Sequence, residues 1–232
     1  IMPSLVGSEM CIRDRLEQRG ADRLAGLVKE NGNRLATGIA GVSHLLPILS
    51  KYGYEDVAYN MLMQTDYPSW GYSVVNGATS IWERWNSYTK EEGFMEPTMN
   101  SFSHYANGSV GEWMFSDIAG IDVNKPGYKQ FEIKPLIEAA PFSAISAEHK
   151  SINGMIKSAW RKNGNNVTIN VTIPTNTTAE VYVPAVSLDA VTESGTNVID
   201  AEGVKFNRAD GKYIVLDVSS GQYQFLSNEA FE

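Results

Sequence analysis

Residues 77–85, which read GATSIWERW, place a carboxylate between two tryptophans. Glu83 follows Trp82 directly, and Trp85 comes two positions later. A carboxylate can transfer protons as a general acid or base, and indole rings pack against the apolar faces of other rings. The stretch just before it adds Trp70 and further aromatic residues but no charge. We therefore treat the region as a candidate site for a neutral ligand, with a solvated surface helix as the alternative.

Four apolar residues predict an amphipathic helix over residues 78–87, because they recur at i, i+3, i+4 and i+7: Ala78, Ile81, Trp82 and Trp85. The opposite face of that helix would centre Glu83 among small polar residues: Thr79, Ser80, Asn86 and Ser87. Small hydroxyl and amide side chains favour a packed polar cleft over a solvated surface. Arg84 would point away from Glu83 on such a helix. The segment around Trp70, which precedes this helix, is interpreted as a loop.

The rest of the first half also has a helical period. Helices are predicted around residues 24–28, 45–52 and 57–62, with Pro47 in the first turn of the second. A last helix is predicted from Ser109 to Gly120, and Ser109 with Glu112 matches a capping box. The capping box is the first interpretation of Glu112, and a second catalytic carboxylate is the alternative.

Beyond about residue 125 the apolar period changes to two, which is typical of strands. Residues 167–173, 179–183 and 214–218 alternate, KNGNN at 162–166 suits a hairpin turn, and SSGQYQF ends in a final strand. These patterns predict an α+β chain of two domains: helices over residues 16–124, then an antiparallel β-sandwich over residues 125–232.

Composition limits the possible functions. The 232 residues carry a net charge of −8, which argues against a nucleic-acid or anionic-membrane partner. No apolar run approaches the length of a membrane span. The one cysteine, Cys11, and three scattered histidines lack the spacing of metal ligands. We expect neither a metal nor a cofactor.

Residues 1–15 are predicted to be a non-native leader. The run MPSLVGSEMCIRDR resembles a translated sequencing adaptor found at the ends of environmental gene fragments. A signal core is the alternative, but SLVG is short and charges follow it at once. The compartment, cytoplasmic or periplasmic and secreted, stays open.

Three blocks in this order and spacing resemble a known family: LATGIAGVSHLLPIL, MLMQTDYPSWGYSVVNGATSIWERW and SFSHYANGSVGEWMF. They are similar to the C-terminal third of the bacterial α-L-rhamnosidases, glycoside hydrolase family 78. The resemblance implies the end of an (α/α)6 barrel, a following β-sandwich and hydrolysis of terminal α-L-rhamnose with inversion. It implies that Glu83 is the general base and that His104 contacts rhamnose. We expect Trp70, Trp82 and Trp85 to contribute ring surface to the substrate.

The general acid of that family has no counterpart in residues 16–76, so the chain is interpreted as a fragment that is inactive alone. The expected ligand is a rhamnose-containing glycoside or polysaccharide. Another (α/α)-barrel glycosidase, such as an α-L-fucosidase, is one alternative function. A carbohydrate-binding module formed by the sandwich is the other, and it would need exposed aromatic residues there.

Overall fold

Among the described residues, the longer α-helices lie before residue 76 and the main β-strands follow residue 120. In the computed structural model, which describes residues 16–231, the backbone divides into two compact units between Gly111 and Glu112. The sequence-based domain limits, 16–124 and 125–232, stay a prediction. The predicted leader, residues 1–15, lies outside the described residues.

The described part of the first unit contains four α-helices: α1 Glu17–Glu30, α2 Ile39–Lys51, α3 Glu55–Met63 and α4 Trp70–Val75. The first three confirm the helices predicted from apolar spacing. Their inward faces are buried, as Leu49 and Val57 show at 0% exposure. The placement of Pro47 in a first turn was wrong. It lies well inside α2, because α2 begins after Gly38, whose extended backbone forms the N-cap.

The predicted helix over residues 78–87 was wrong, because the chain there is irregular. Backbone groups near Glu83 pair with a distant segment, as the hydrogen bonds between Glu83 N–H and Ser101 O (2.9 Å) and between His104 N–H and Ile81 O (2.9 Å) show. Within residues 78–87, the Ser87 N–H donates to Arg84 O at 3.1 Å in a turn. The helix of this region is α4, where the sequence predicted a loop. Ser69 begins it by accepting the Tyr72 N–H through its hydroxyl at 2.9 Å.

A short hairpin follows, with β1 at Tyr88–Thr89 and β2 at Gly93–Phe94. Helix α5 spans Val110–Trp113 and continues as a π-helical turn, Met114–Ile118. Gly120 closes this segment as predicted, at φ +76°. The capping box was wrong, because the buried Ser109 hydroxyl oxygen has no hydrogen-bond partner within the described residues.

The strands of the second unit are β3 Ile121–Val123, β4 Gln130–Ile133, β5 Ala144–Ser151, β6 Gly154–Asn163, β7 Asn166–Ile173, β8 Thr178–Pro184, β9 Val191–Glu193, β10 Thr196–Asn197, β11 Val204–Asp210, β12 Tyr213–Val218 and β13 Gly221–Ser227. They form a six-stranded sheet in the order β10-β9-β13-β7-β6-β5 and a five-stranded sheet in the order β11-β12-β8-β4-β3. The predicted alternation at 167–173, 179–183 and 214–218 is confirmed in β7, β8 and β12.

The two sheets enclose the core of a β-sandwich. Phe131, Leu216 and Val181 from one sheet, and Ile169 and Phe225 from the other, are all 0% exposed. One pair departs from the antiparallel prediction, because β4 runs parallel to β8. A parallel pair needs a long connection, and here β5, β6 and β7 of the other sheet supply it.

None of the helices in residues 16–231 combines the length and the apolar character that crossing a membrane requires.

Candidate active site around Glu83

The segment around Glu83 lies alongside residues 101–104, and the two run in opposite directions. The Glu83 backbone N–H donates to Ser101 O at 2.9 Å, and the His104 N–H donates to Ile81 O at 2.9 Å. The Ser80 hydroxyl also donates to Phe102 O. These bonds bring the predicted base and the predicted rhamnose contact onto two adjacent stretches of backbone, although 21 residues separate them in sequence.

The Glu83 carboxylate is aligned by a backbone donor. Ser101 N–H donates to Glu83 Oε2 at 2.8 Å, and Ser101 O accepts the Glu83 N–H. The backbone of Ser101 therefore binds both the side chain and the main chain of Glu83. The side chain of Glu83 is half-buried. Oε1 accepts no hydrogen bond from the described residues, so it can accept a proton from water or a ligand.

His104 uses one ring nitrogen in a structural hydrogen bond, and its other ring nitrogen has no hydrogen-bond partner among the described residues. Its Nδ1 accepts the Ala106 N–H at 3.3 Å and so caps the 3₁₀ turn Tyr105–Ser109. In the neutral tautomer that this bond requires, Nε2 carries the proton and can donate to a ligand hydroxyl. The ring stacks on Tyr105, at 5.5 Å between centroids and 7° between planes. Tyr105 itself is 89% exposed.

Asn107, which follows residues 101–104 in the chain, binds the backbone of the segment that carries Glu83. Its amide nitrogen donates to Trp82 O and to Glu83 O, each at 3.1 Å. Its own backbone carbonyl accepts the Trp70 indole N–H at 2.8 Å. The side chain is 3% exposed, and its Oδ1 has no hydrogen-bond partner among the described residues. Asn107 therefore holds the two peptide groups on either side of the Glu83 Cα atom.

The three predicted tryptophan contacts pack mainly within the protein. Trp70 and Trp82 are 9% and 8% exposed, while Trp85 is half-buried. Trp70 and Trp85 pack edge to face at 5.6 Å, and the Trp85 indole N–H donates to Thr37 O at 2.7 Å. With the indole N–H groups of Trp70 and Trp85 bonded to the main chain, these two residues can offer a ligand only ring surface. Their contact with substrate stays a prediction.

Trp82 belongs to an aromatic cluster that reaches the surface. Its ring lies 5.4 Å from Phe102, edge to face, and Phe102 lies 5.6 Å from Phe94. Tyr88 contacts both Trp82 and Phe94, at 6.3 and 5.1 Å. Phe94 is 75% exposed, so this cluster gives the Glu83 region one accessible aromatic ring.

Three other charged residues of this region are Arg84, Glu96 and Glu112. Arg84 is exposed, and its backbone N–H donates to the Ser87 hydroxyl at 3.2 Å. The pKa of Glu96 lies below its ordinary value, because the Thr98 hydroxyl and backbone N–H both donate to it and the charge of Arg84 adds attraction. Glu112 is exposed. Across residues 16–231, no group of three or more His, Cys, Asp or Glu side chains is arranged to hold a metal ion.

Sequence reasoning missed Ser101, Phe102 and the side-chain role of Asn107. Residues 101–107 lie within one of the blocks that resemble known proteins, so the block was a signal for the region. It carried no information on which of its residues would hold Glu83, because two irregular segments that pair with each other share no periodic pattern.

Two family models match the chain in succession. The model of the bacterial alpha-L-rhamnosidase 6 hairpin glycosidase domain matches residues 8–118, and that of the bacterial alpha-L-rhamnosidase C-terminal domain matches residues 120–197. Between them they account for most of the chain.

Individual proteins agree with the family models. The chain is 40% identical over 215 residues to an alpha-L-rhamnosidase of Streptomyces avermitilis, covering 92% of this chain and 20% of that protein. It is 36% identical over 209 residues to one of Formosa agariphila, covering 90% and 22%. The crystal structure of the Streptomyces avermitilis enzyme complexed with L-rhamnose superposes with a TM-score of 0.84 over 92% of this chain and 20% of that one, at 39% identity. The chain therefore spans about a fifth of the length of these relatives.

Proposed function

Because this chain belongs to the bacterial α-L-rhamnosidase family, we propose that it forms part of an inverting glycosidase that releases terminal α-L-rhamnose from rhamnosides. Within that enzyme, the described residues would supply the general base and part of the rhamnose pocket. The substrate would be a rhamnose-containing glycoside or polysaccharide.

The observation that supports this role is the arrangement of Glu83. An inverting glycosidase needs two carboxyl groups about 6.5–9.5 Å apart, one to protonate the leaving oxygen and one to deprotonate the attacking water. The base must be held so that one oxygen faces the water. Ser101 N–H at 2.8 Å from Oε2 fixes the carboxylate and leaves Oε1 for that proton.

His104 would bind the sugar. Its Nδ1 accepts a backbone N–H at 3.3 Å, so the Nε2–H group is oriented by the protein before any ligand arrives. A fixed donor of this kind suits a rhamnose hydroxyl. Trp70, Trp82 and Trp85 would shape the wall of the pocket through ring surface.

The second carboxyl group, the general acid, would come from a part of the enzyme not represented in residues 16–76. We therefore expect these 232 residues, assayed alone, to show no measurable hydrolysis of an aryl α-L-rhamnoside. Without acid catalysis, the rate should fall by at least about 10²-fold.

The carbohydrate-binding module is the weaker alternative. Both tryptophans of the second unit are buried, Trp113 at 1% and Trp160 at 2% exposure, and the Trp160 indole N–H donates to Ile118 O at 2.9 Å. Neither tryptophan ring can stack on a sugar from solvent, although Phe206 of β11 is 42% exposed. An α-L-fucosidase would use the same inverting chemistry, so only substrate preference separates it from the proposal.

The test uses a complete enzyme that contains this chain. It is assayed on matched aryl α-L-rhamnoside and aryl α-L-fucoside, and proton NMR records the first-formed anomer of the released sugar. We expect the rhamnoside to be preferred and β-L-rhamnose to appear first. Preference for the fucoside, or α-L-rhamnose as the first product, would contradict the proposal.

A further inference from the structure

We propose that Asn107 is a positioning residue, which sets the place of the Glu83 carboxylate through the backbone of Glu83 itself. This inference rests on the proposed function, in which Glu83 is the general base. It adds a residue whose side chain has no direct contact with the carboxylate.

The geometry points to Asn107 because one amide group binds two successive carbonyls. Its Nδ2 donates to Trp82 O and Glu83 O, each at 3.1 Å, while Trp70 Nε1 donates to Asn107 O at 2.8 Å. At 3% exposure, Asn107 is shielded from water that could replace these bonds. Inside a regular helix, the carbonyls of residues 82 and 83 would have accepted N–H groups of the next turn.

The irregular path of residues 78–87 makes this support necessary. Buried backbone carbonyls need donors, and a segment without secondary structure must find them elsewhere. Glu83 is then held at three points: its N–H by Ser101 O, its Oε2 by Ser101 N–H, and its carbonyl by Asn107. Removal of the Asn107 amide releases the carbonyl of Glu83 and leaves the two bonds to Ser101 in place.

Loss of the hydrogen bond between the Asn107 amide and Glu83 O should slow the attack of water more than it weakens sugar binding. A base acts only from a narrow range of positions, and a displacement of about 1 Å can reduce a rate by about 10²-fold. The ring contacts and the His104 donor bind the sugar through other atoms. For Asn107 variants we therefore expect kcat to fall by about 10–100-fold while KM changes by less than about threefold.

Azide separates a misplaced base from a damaged pocket. Azide is already an anion and needs no deprotonation, so it can attack the anomeric carbon without Glu83. Its terminal nitrogen forms a bond to that carbon, the bond to the aryl oxygen breaks, and the oxygen leaves with the electron pair as a phenolate. The product is β-L-rhamnosyl azide, formed with inversion.

The experiment compares four forms of a complete enzyme that contains this chain: wild type, Glu83→Ala, Asn107→Asp and Asn107→Ser. Hydrolysis of 2,4-dinitrophenyl α-L-rhamnoside is measured with and without sodium azide, and glycosyl azide is quantified. Asn107→Asp keeps the side-chain shape but removes both N–H donors, while Asn107→Ser keeps one small hydroxyl donor. Asn76→Asp is the matched control, because the half-buried Asn76 amide also donates to a backbone carbonyl, Tyr72 O, at 2.8 Å.

We expect both Asn107 variants to hydrolyse slowly and to be accelerated by azide, with Asn107→Ser less impaired, while Asn76→Asp keeps the wild-type rate. Hydrolysis of either Asn107 variant at more than about half the wild-type rate would overturn the inference. So would slow hydrolysis without azide acceleration, since that result means that the pocket has been damaged as a whole.

Failure of the proposed function looks different. If Glu83→Ala hydrolyses at a rate close to wild type, or is slow and not accelerated by azide, Glu83 is not the base, whatever the Asn107 variants do. If Glu83→Ala is rescued and the Asn107 variants are not, the function stands and the role of Asn107 is rejected.

Discussion

The two compact units satisfy their polar groups in different ways. Around Glu83, side chains hydrogen-bond to the main chain: the Asn107 amide to two carbonyls, and the Trp70 and Trp85 indoles to one carbonyl each. In the sandwich, the main chain is paired mainly strand to strand, and its polar side chains bond both to carbonyls, as Trp160 does to Ile118 O, and to each other. Arg208, for example, donates to Glu180 Oε2 at 3.0 Å and to the Tyr182 hydroxyl at 2.7 Å.

Under the proposed function, this difference assigns the reaction to the Glu83 region and much of the stability to the sandwich. A side chain on irregular backbone can point in directions that a helix or strand does not offer, but other side chains must then hold that backbone. Polar substitutions around Glu83 should therefore change catalysis. Polar substitutions in the sandwich should change unfolding and leave the reaction alone.

Glu83→Gln should have the largest effect. The amide is close in shape to the carboxylate but cannot accept the proton of water, so we expect kcat on an aryl α-L-rhamnoside to fall by at least about 10²-fold with little change in the melting temperature. Steady-state kinetics in a complete enzyme measures the fall.

Glu96→Gln is the control for that substitution. Glu96 is also a carboxylate of the first unit that accepts a backbone N–H, from Thr98 at 3.0 Å. It should keep wild-type kinetics. A Glu83→Gln variant that retained more than about a tenth of the activity would contradict the assignment of the base.

Tyr182 should make the sandwich sensitive to alkaline pH. Burial, reinforced by the charge of Glu132, raises its pKa to about 12 from 10.0. The unfolded tyrosine therefore ionises first, so stability is fully present below about pH 10 and is lost as the pH rises toward 12. The loss should be about 2 kcal/mol across this window.

The measurement compares thermal unfolding of wild type and Tyr182→Phe from pH 9 to 11.5. Tyr182→Phe loses the hydroxyl contacts but cannot ionise, so the advantage of wild type should shrink as the pH rises. A constant difference between the two melting temperatures would show that Tyr182 does not titrate in this range.

His104→Asn should have a moderate effect on the reaction. Asparagine retains an acceptor that suits an N-cap, so the turn beginning at Tyr105 should persist, but the Nε2–H donor is lost. Loss of one hydrogen bond to the sugar should lower kcat/KM by about tenfold. If His104→Ala alone impairs the enzyme and His104→Asn does not, the residue is a cap and does not bind substrate.

Glu132→Gln should have the smallest effect and should be stabilising. Glu132 lies directly across from Asp122 on one side and Glu180 on the other. Its pKa is raised, chiefly by burial and further by these two carboxylates, although Lys134 opposes the shift. A raised pKa contributes stability that is present at low pH and lost as the carboxyl ionises, so at neutral pH the charge is unfavourable.

Removal of that charge should raise the unfolding free energy by about 0.2–1 kcal/mol, the usual size of a cross-strand pair. Thermal unfolding at pH 7 measures the gain, and activity should not change. Glu148→Gln is the control, because Glu148 pairs with Lys157 at 2.6 Å and its neutralisation should bring no gain. Equal gains from both substitutions would mean that lower net charge alone accounts for the effect.

Much of the fold could be predicted because apolar spacing records which side of an element faces the core. The spacing in α1 and α3 predicted helices, and the alternation in β7 and β12 predicted strands, although Leu27 of α1 is 45% exposed and Val215 of β12 is buried between the predicted inward residues. The same rule failed at residues 78–87. Trp82 is buried there at helical spacing, but the segment is not a helix.

The sequence by itself determined the two kinds of structure, their order, the family and the candidate pair Glu83 and His104. Only the tertiary structure decided that Glu83 lies on irregular backbone, that Ser101 and Asn107 hold it, and that β4 runs parallel to β8. The physical reason is the same in each case. Burial patterns depend on side chains near in sequence, whereas the partner of a backbone N–H or carbonyl can lie anywhere in the chain, and no local pattern identifies it.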